Sequence, residues 1–310
     1  MPQEELLNRA FQLTRRHPVL WLLALLAGEG ASGGSYSSSG GSFSRVQQHS
    51  AGSPATPLLT AIGAWLLSNW TLLAIGISIS LALGLVVSCL AAGALYRAQE
   101  ALDSGANFGA GAAWAAARLS FWRLLGLRFL TALAFGAPYL LLGVLTFLMF
   151  LAGGRFALVV ALLIDASFLV FLTILTVLAW PVLTFAARVV VLDGQRPVAA
   201  LRSTLRLIGH APGRVLLTAA IAIGLGIAVG VVFSLVDAVL TLPFASSLLD
   251  AAGAFDLERI WHAAFPLLVI LVPVSLLLGA VAGSFYSAYW TFSFRNLGIE
   301  QASLRPARTP

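Results

Sequence analysis

The chain has 310 residues, of which 59% are hydrophobic and only 10% are charged. Soluble domains carry about 45–50% apolar and about 25% charged residues, so this composition excludes a soluble globular protein and predicts an integral membrane protein. The net charge of +6 arises from 18 basic residues, all of them arginine. Because these arginines flank hydrophobic runs, anionic lipid headgroups are the expected partner rather than nucleic acid. The single cysteine, Cys89, excludes an intramolecular disulfide.

Six apolar runs are candidates for membrane-spanning helices, each of which requires about 20 residues. The first is the weakest, because its apolar part is short, about 16 Å of helix, so it either crosses incompletely or carries Glu29 at the far interface. The six runs cover residues 18–35, 70–96, 129–152, 162–187, 215–236 and 265–294.

The arginines fall mainly on one side of these runs. With six spans, fifteen of them lie on the side of the chain termini, and only Arg45, Arg155 and Arg259 lie on the other. The positive-inside rule therefore predicts a plasma (inner) membrane protein whose N- and C-termini are both cytoplasmic. An odd number of spans would break this bias.

Short arginine-bearing stretches precede every second span, at residues 6–18, 112–123 and 198–210. Arginine lies on one face of each stretch and apolar residues on the other, which is typical of a helix in the membrane interface. The sequence therefore predicts an all-α, polytopic membrane helix bundle. Its six transmembrane helices form three helical hairpins, and a cytoplasmic interfacial amphipathic helix precedes each hairpin.

This pattern predicts one integral membrane domain over residues 1–310, built from repeat-like units at about 1–97, 98–192 and 193–297. Residues 29–53 are mostly Gly, Ser and Ala, which predicts a flexible outer loop. Residues 298–310 are expected to form a cytoplasmic tail.

Small residues recur at every fourth position in three spans, which places them on one helix face. In lipid such faces let helices approach closely. We therefore expect spans two, five and six to form the tight centre of the bundle, with packing against another membrane protein or a second copy as the alternative. The stripes contain Gly76, Ser80, Gly84 and Ser88, then Gly226 and Gly230, and finally Gly279 and Gly283.

Three polar residues in or beside the apolar runs form a possible intramembrane site: Asp165, Asp237 and Asn69. Charges inside a membrane are costly and often functional, although both acids also lie close enough to the outer boundary for a structural role. The amphipathic stretches supply the expected contacts with anionic lipid, namely Arg15, Arg16, Arg118, Arg123, Arg202 and Arg206.

The sequence contains none of the common hydrolase, metalloprotease or nucleotide-binding motifs. We therefore expect no catalytic residues, no metal and no cofactor. His17 and His210 occupy matching positions before the first and fifth spans, which leaves haem or pigment ligation open as an alternative.

Two segments resemble a known family. They read RVVVLDG at 188–194 followed by PVAALRS at 197–203 and LRL at 205–207, and AFQLTRRHP at 10–18. These segments resemble multi-pass bacterial membrane proteins related to the membrane domain of glycerophosphodiester phosphodiesterases. In the enzymes of that family a separate soluble domain carries the chemistry, and no such domain follows the last span here. The resemblance thus implies a stand-alone six-helix membrane module without that activity.

The leading hypothesis is a non-catalytic accessory or scaffold subunit that binds lipid or partner membrane proteins. The main alternative is a transporter or permease component that moves a small solute or ion past the three polar residues. A membrane-embedded lipid enzyme is a further alternative, and would need converging polar groups that the sequence does not reveal.

Overall fold

A computed structural model describes residues 3–29, 65, 68–106, 108–151, 155–244 and 257–304, and within these ranges all regular elements are helical. The α-helices are α1 (Gln3–Arg16), α2 (Val19–Ala27), α3 (Trp70–Asp103), α4 (Ala110–Leu151), α5 (Arg155–Leu192), α6 (Pro197–His210), α7 (Pro212–Thr241) and α8 (Leu257–Leu304). A single 3-10 turn, Leu242–Phe244, follows α7.

Five of these helices, α3, α4, α5, α7 and α8, are long and apolar enough to cross a membrane. The shortest apolar stretch, Leu163–Leu192, has 30 residues, which is about 45 Å of helix and more than the hydrocarbon core of about 30 Å. Large apolar side chains remain exposed along these helices, as at Leu140 and Leu178. The prediction of an all-α membrane bundle is confirmed.

The first expected span differs from the prediction. Helix α2 has nine residues, which is about 14 Å and too short to cross. It ends because Gly28 adopts a left-handed conformation with φ 77°, where its N–H and that of Glu29 bond to the carbonyls of Leu25 and Ala24. This is a Schellman cap, which needs glycine at its left-handed position. The described residues thus contain five long spans and not six.

The carbonyl of Ala27, at the end of α2, accepts a hydrogen bond of 2.6 Å from the Ser88 hydroxyl of α3. Ser88 lies near the middle of α3, in an otherwise apolar stretch. Because hydrocarbon offers no hydrogen-bond donors, a helix that ends there requires such a partner. Ser88 therefore stabilises a helix end and does not simply permit close packing.

The predicted interfacial helices are separate elements in two cases out of three. Helices α1 and α6 stand apart from the helices that follow, which begin around Pro18 and Pro212. The second stretch, 112–123, is instead continuous with the span after it, as part of the 42-residue helix α4. The reason is local: proline ends a preceding helix, and no proline separates Arg123 from Phe129.

The chain folds as two compact units that are discontinuous in sequence. One contains residues 1–7, 96–219 and 289–310, and the other contains 8–95 and 220–288. In the first unit α4, α5 and α6 pack against one another. A Cβ added at Gly126 of α4 would lie 3.2 Å from the ring of Pro197 at the start of α6, so the absence of a side chain at 126 permits this approach.

Several predicted segments fall outside the described residues. The Gly/Ser-rich loop, 29–53, does so except for Glu29, and residues 305–310 of the expected tail do so as well. The earlier part of that tail is helical, because α8 continues to Leu304.

Candidate functional site

The most unusual side chain in the described structure is Arg188, which is 0% exposed. It lies near the C-terminal end of α5, within the apolar run Phe185–Leu192. Desolvation of a guanidinium is costly unless its donors are satisfied. The surrounding residues must therefore supply acceptors.

Three helices meet at this guanidinium. Its Nη1 donates to the carbonyl of Thr184 one turn earlier in α5, at 2.8 Å. Its Nε donates to the hydroxyl of Thr291 in α8, at 3.2 Å. The Tyr96 ring of α3 lies against it, with 4.6 Å between the guanidinium carbon and the ring centroid, a distance typical of a cation–π interaction.

The hydrogen bonds continue beyond Thr291. Its hydroxyl donates to Oε1 of Gln99 in α3, at 2.8 Å, and the Gln99 side chain is fully buried. Thr291 thus accepts from a cation and donates to an amide, an arrangement in which each bond polarises the next. We name Tyr96, Gln99, Arg188 and Thr291 the arginine cluster.

Aromatic side chains enclose the arginine cluster on one side. Trp290, next to Thr291, is fully buried, with Trp180 and Phe185 each at a centroid distance of 5.1 Å in edge-to-face geometry. Edge-to-face pairs of this kind add about 0.5–1.5 kcal/mol beyond their area burial. The residues around Arg188 are therefore closely packed aromatic side chains.

A second layer of charges lies at the ends of the same helices. Arg97 pairs with Glu100 at 3.0 Å and donates to the carbonyl of Leu192 at 2.9 Å. Arg295 lies 3.7 Å from Asp103. Because these pairs are partly exposed, each contributes little to the stability of the fold by itself. The bond from Arg97 to Leu192 nevertheless fixes the end of α5 beside α3.

The polar groups of Arg188, Thr291 and Gln99 bond to one another and to the backbone. The geometry thus joins α3, α5 and α8 through one buried cation. Among the described residues, no three His, Cys, Asp or Glu side chains form a group that could hold a metal.

Two of the three predicted intramembrane polar residues have hydrogen-bond partners. Asp165 of α5 accepts from the Thr146 hydroxyl of α4, with its two oxygens at 2.8 and 2.6 Å. The Asn69 amide donates to the carbonyl of Trp65 and to Ser68 Oγ, both at 3.0 Å. Asp237 is exposed on α7. Asp165 and Asn69 thus have a structural explanation, and a transport role for the three residues stays a prediction.

The small-residue stripes differ from one helix to another. Gly279 and Gly283 of α8 are buried, whereas Gly226 and Gly230 of α7 are half-buried. In α3, by contrast, Gly76, Ser80 and Gly84 are exposed. A Cβ added at Gly76 or Gly84 would meet nothing within 4 Å, so this half of α3 makes no close helix contact there, unlike the tight packing expected. Packing against another chain stays a prediction.

The six arginines expected to contact lipid are all exposed: Arg15 and Arg16 on α1, Arg118 and Arg123 on α4, and Arg202 and Arg206 on α6. Large exposed apolar side chains accompany them, including Phe11, Leu119 and Leu205. Arg123 also approaches the turn between α5 and α6, where its Nη1 would lie 3.0 Å from a Cβ at Gly194. Gly194 has φ 67°, so a side chain there would be strained and crowded.

Sequence reasoning counted Arg188 among the arginines that flank the spans and did not identify it as buried. The available signal was its context, since every neighbour from Phe185 to Leu192 is apolar. A second signal was the polar series Ser284, Ser287 and Thr291 on one face of the last span. Polar residues inside spans face the protein interior. Their spacing was interpreted instead as a stripe of small side chains that lets helices pack closely.

The turn after α5 carries a perturbed carboxyl group. Burial raises the pKa of Asp193 above its ordinary value, the Glu100 carboxylate raises it further, and the Arg97 guanidinium opposes both effects. The folded protein therefore holds this proton more tightly than the unfolded chain, and ionisation of Asp193 weakens folding at neutral pH.

Comparisons with protein-family models, with curated proteins and with solved structures find no match to this chain. The resemblance of residues 188–207 to the membrane domain of glycerophosphodiester phosphodiesterases therefore stays a prediction.

Thr291→Val tests the arginine cluster. Valine has the same shape but loses the bonds to Arg188 and Gln99, so we expect the free energy of unfolding in detergent to fall by about 1–3 kcal/mol. The matched control is Thr173→Val on the exposed face of α5, where the hydroxyl bonds only to its own helix and the change should stay within about 0.5 kcal/mol. Thr291→Ser should recover most of the loss. Equal effects of the two valine variants would contradict a special role for Thr291.

Asp193→Asn should raise the Tm at pH 7, because the ionised carboxylate is disfavoured in the folded state. The gain should be small, since solvent screens a residue that is largely exposed. It should disappear once the pH falls below the ordinary pKa of an aspartate carboxyl, where the folded and the unfolded chain both bind the proton. Melting curves across this range give the measurement. In a Glu100→Gln background the gain should shrink, and a gain that grows on acidification would refute the assignment.

Proposed function

We propose that this chain is a non-catalytic scaffold of the plasma (inner) membrane that binds anionic lipid through its exposed arginine-bearing helices and holds partner membrane proteins or further copies of itself. The supporting observation is that all six candidate arginines are exposed and have exposed apolar neighbours. This combination suits the boundary between hydrocarbon and headgroups, where apolar groups enter the membrane and guanidinium groups bind phosphate.

Helix α6 carries this interface most clearly. Its buried side consists of Ala200, Thr204 and Leu207, which face its own unit. Its other side exposes Arg202 and Arg206 together with large apolar residues such as Leu205. One face thus anchors the helix to the protein, and the opposite face is available to lipid.

The proposed topology places both chain termini on the cytoplasmic side, with six crossings in three hairpins. The arginine bias supports it. The five long helices account for five crossings, and the part of the chain that begins with α2 is assigned the sixth. The lipid-binding role of α4 and α6 does not depend on this assignment, because Arg118, Arg123, Arg202 and Arg206 lie on one side of the membrane either way.

Single-cysteine labelling tests this topology. The native Cys89 is fully buried, so it should react little with a membrane-impermeant maleimide in intact cells. Ser68 and Ser104 are exposed, close to opposite ends of α3. We expect Ser68→Cys to be labelled from outside and Ser104→Cys only after permeabilisation. Labelling of both from the same side would refute the arrangement.

A comparison of anionic and zwitterionic lipid binding tests the proposed function. Native mass spectrometry of the detergent-solubilised chain should show tighter binding of phosphatidylglycerol than of phosphatidylcholine. The double variant Arg202→Gln/Arg206→Gln should reduce this preference, because each charge near the headgroups contributes about 1 kcal/mol. The charge-preserving double variant Arg202→Lys/Arg206→Lys should keep most of it. Equal binding of both lipids by the wild-type chain would overturn the proposal.

A further inference from the structure

The beginning of α4 presents an exposed aromatic and basic surface that packing among the described residues does not explain. Trp114 is 58% exposed and Trp122 is 75% exposed, and Arg118, halfway between them, is exposed as well. The three residues are four apart, so they form one stripe on a single helix face. Indoles of this size are rarely left this exposed without a partner.

The opposite face of this segment is where α4 packs onto its own unit. Ala117, Ser120, Leu124 and Leu127 are all buried. The stripe therefore points away from the protein and is not an incompletely packed part of its interior. The contact between Phe121 and Trp122, with centroids 5.1 Å apart in edge-to-face geometry, helps to fix the exposed indole.

The stripe continues directly into the part of α4 that crosses the membrane. Phe129, Leu133 and Leu140 follow Trp122 at intervals of seven, four and seven residues and are all highly exposed, so they lie on the same helix face. Hydrocarbon chains cover that face in a bilayer. A lipid whose acyl chain lies along Phe129 and Leu133 would thus bring its headgroup to the stripe.

The chemistry of the stripe fits a phosphate. Arg118 can donate two parallel N–H bonds to phosphate oxygens, and the described part of this segment, 108–151, contains no Asp or Glu to compete for it. Tryptophan prefers the membrane–water interface. With Trp122 at the hydrocarbon boundary, Arg118 lies about 6 Å further out, within the headgroup zone of about 5–7 Å.

We propose that Trp114, Arg118 and Trp122 form a binding site for one anionic phospholipid. The Arg118 guanidinium holds the headgroup phosphate, the two indoles flank it, and an acyl chain follows the apolar face of α4. This inference rests on the proposed lipid-binding function and refines it by assigning a particular headgroup site, separate from the more diffuse basic surface of α6.

The test is a titration of the full-length chain with phosphatidylglycerol and, in parallel, phosphatidylcholine, followed by native mass spectrometry. Arg118→Gln should weaken binding of the first phosphatidylglycerol about tenfold, the loss expected for a charge-assisted bond. Trp122→Leu, which stays apolar but removes the indole, should weaken it about threefold. Phosphatidylcholine binding should change little in either variant.

Arg196→Gln is the matched control. It removes the same charge from another exposed arginine of this unit, but its neighbours at four residues' distance are Leu192 and the buried Ala200. It should change the affinity by less than about twofold, since no indole or acyl-chain surface accompanies it.

The outcomes separate this site from the general function. If Arg118→Gln has no more effect than Arg196→Gln while the α6 double variant still loses its lipid preference, the site is wrong and the proposed function survives. If no arginine variant alters the preference, both fail. If Trp122→Leu instead releases a co-purifying protein and leaves lipid binding intact, the stripe binds protein and the lipid site is refuted.

Discussion

Hydrocarbon supplies no hydrogen-bond partners, and this constraint accounts for most of the structure. Every backbone amide inside a membrane must bond within the protein, so the chain forms long helices that satisfy themselves. Hydroxyl side chains follow the same rule: Ser78, Thr131 and Thr173 each donate to the carbonyl four residues earlier. At the end of α2, a Schellman cap and the Ser88 hydroxyl bond to the last carbonyls.

The same constraint separates the arginines into two groups. Six of them are exposed beside apolar residues, where water and headgroups can solvate them: Arg15, Arg16, Arg118, Arg123, Arg202 and Arg206. Arg188 is fully removed from both, and Thr184, Thr291 and Tyr96 surround it instead. A buried cation is weak evidence of stability by itself, but this one requires three helices in a fixed arrangement. The buried Arg188 therefore specifies the arrangement in which α3, α5 and α8 meet. Its effect on the free energy of their association is smaller.

The separation of a buried cluster from an exposed basic surface agrees with a scaffold role. The arginine cluster and its aromatic neighbours are buried and give the first unit a rigid interior. The exposed aromatic and basic residues lie instead on α4 and α6, on faces that we propose to contact the membrane boundary. Bound lipid phosphates would thus contact surfaces whose positions the arginine cluster fixes. The lipid specificity of the protein is accordingly proposed to reside in α4 and α6.

The sequence by itself determined the helical membrane class, the positions of five spans and the exposed arginines, because hydrophobic run length and charge placement act locally. The sequence left open whether the first span crosses completely, and α2 ends at Ala27 because Gly28 adopts a left-handed conformation. The merging of 112–123 into α4 followed from a missing proline that was equally visible. Only the tertiary structure revealed that Arg188 is buried, that Thr291 links it to Gln99, and that Asp165 pairs with Thr146. These contacts join residues far apart in the chain or on different helices, and one-dimensional spacing does not encode which helix faces meet.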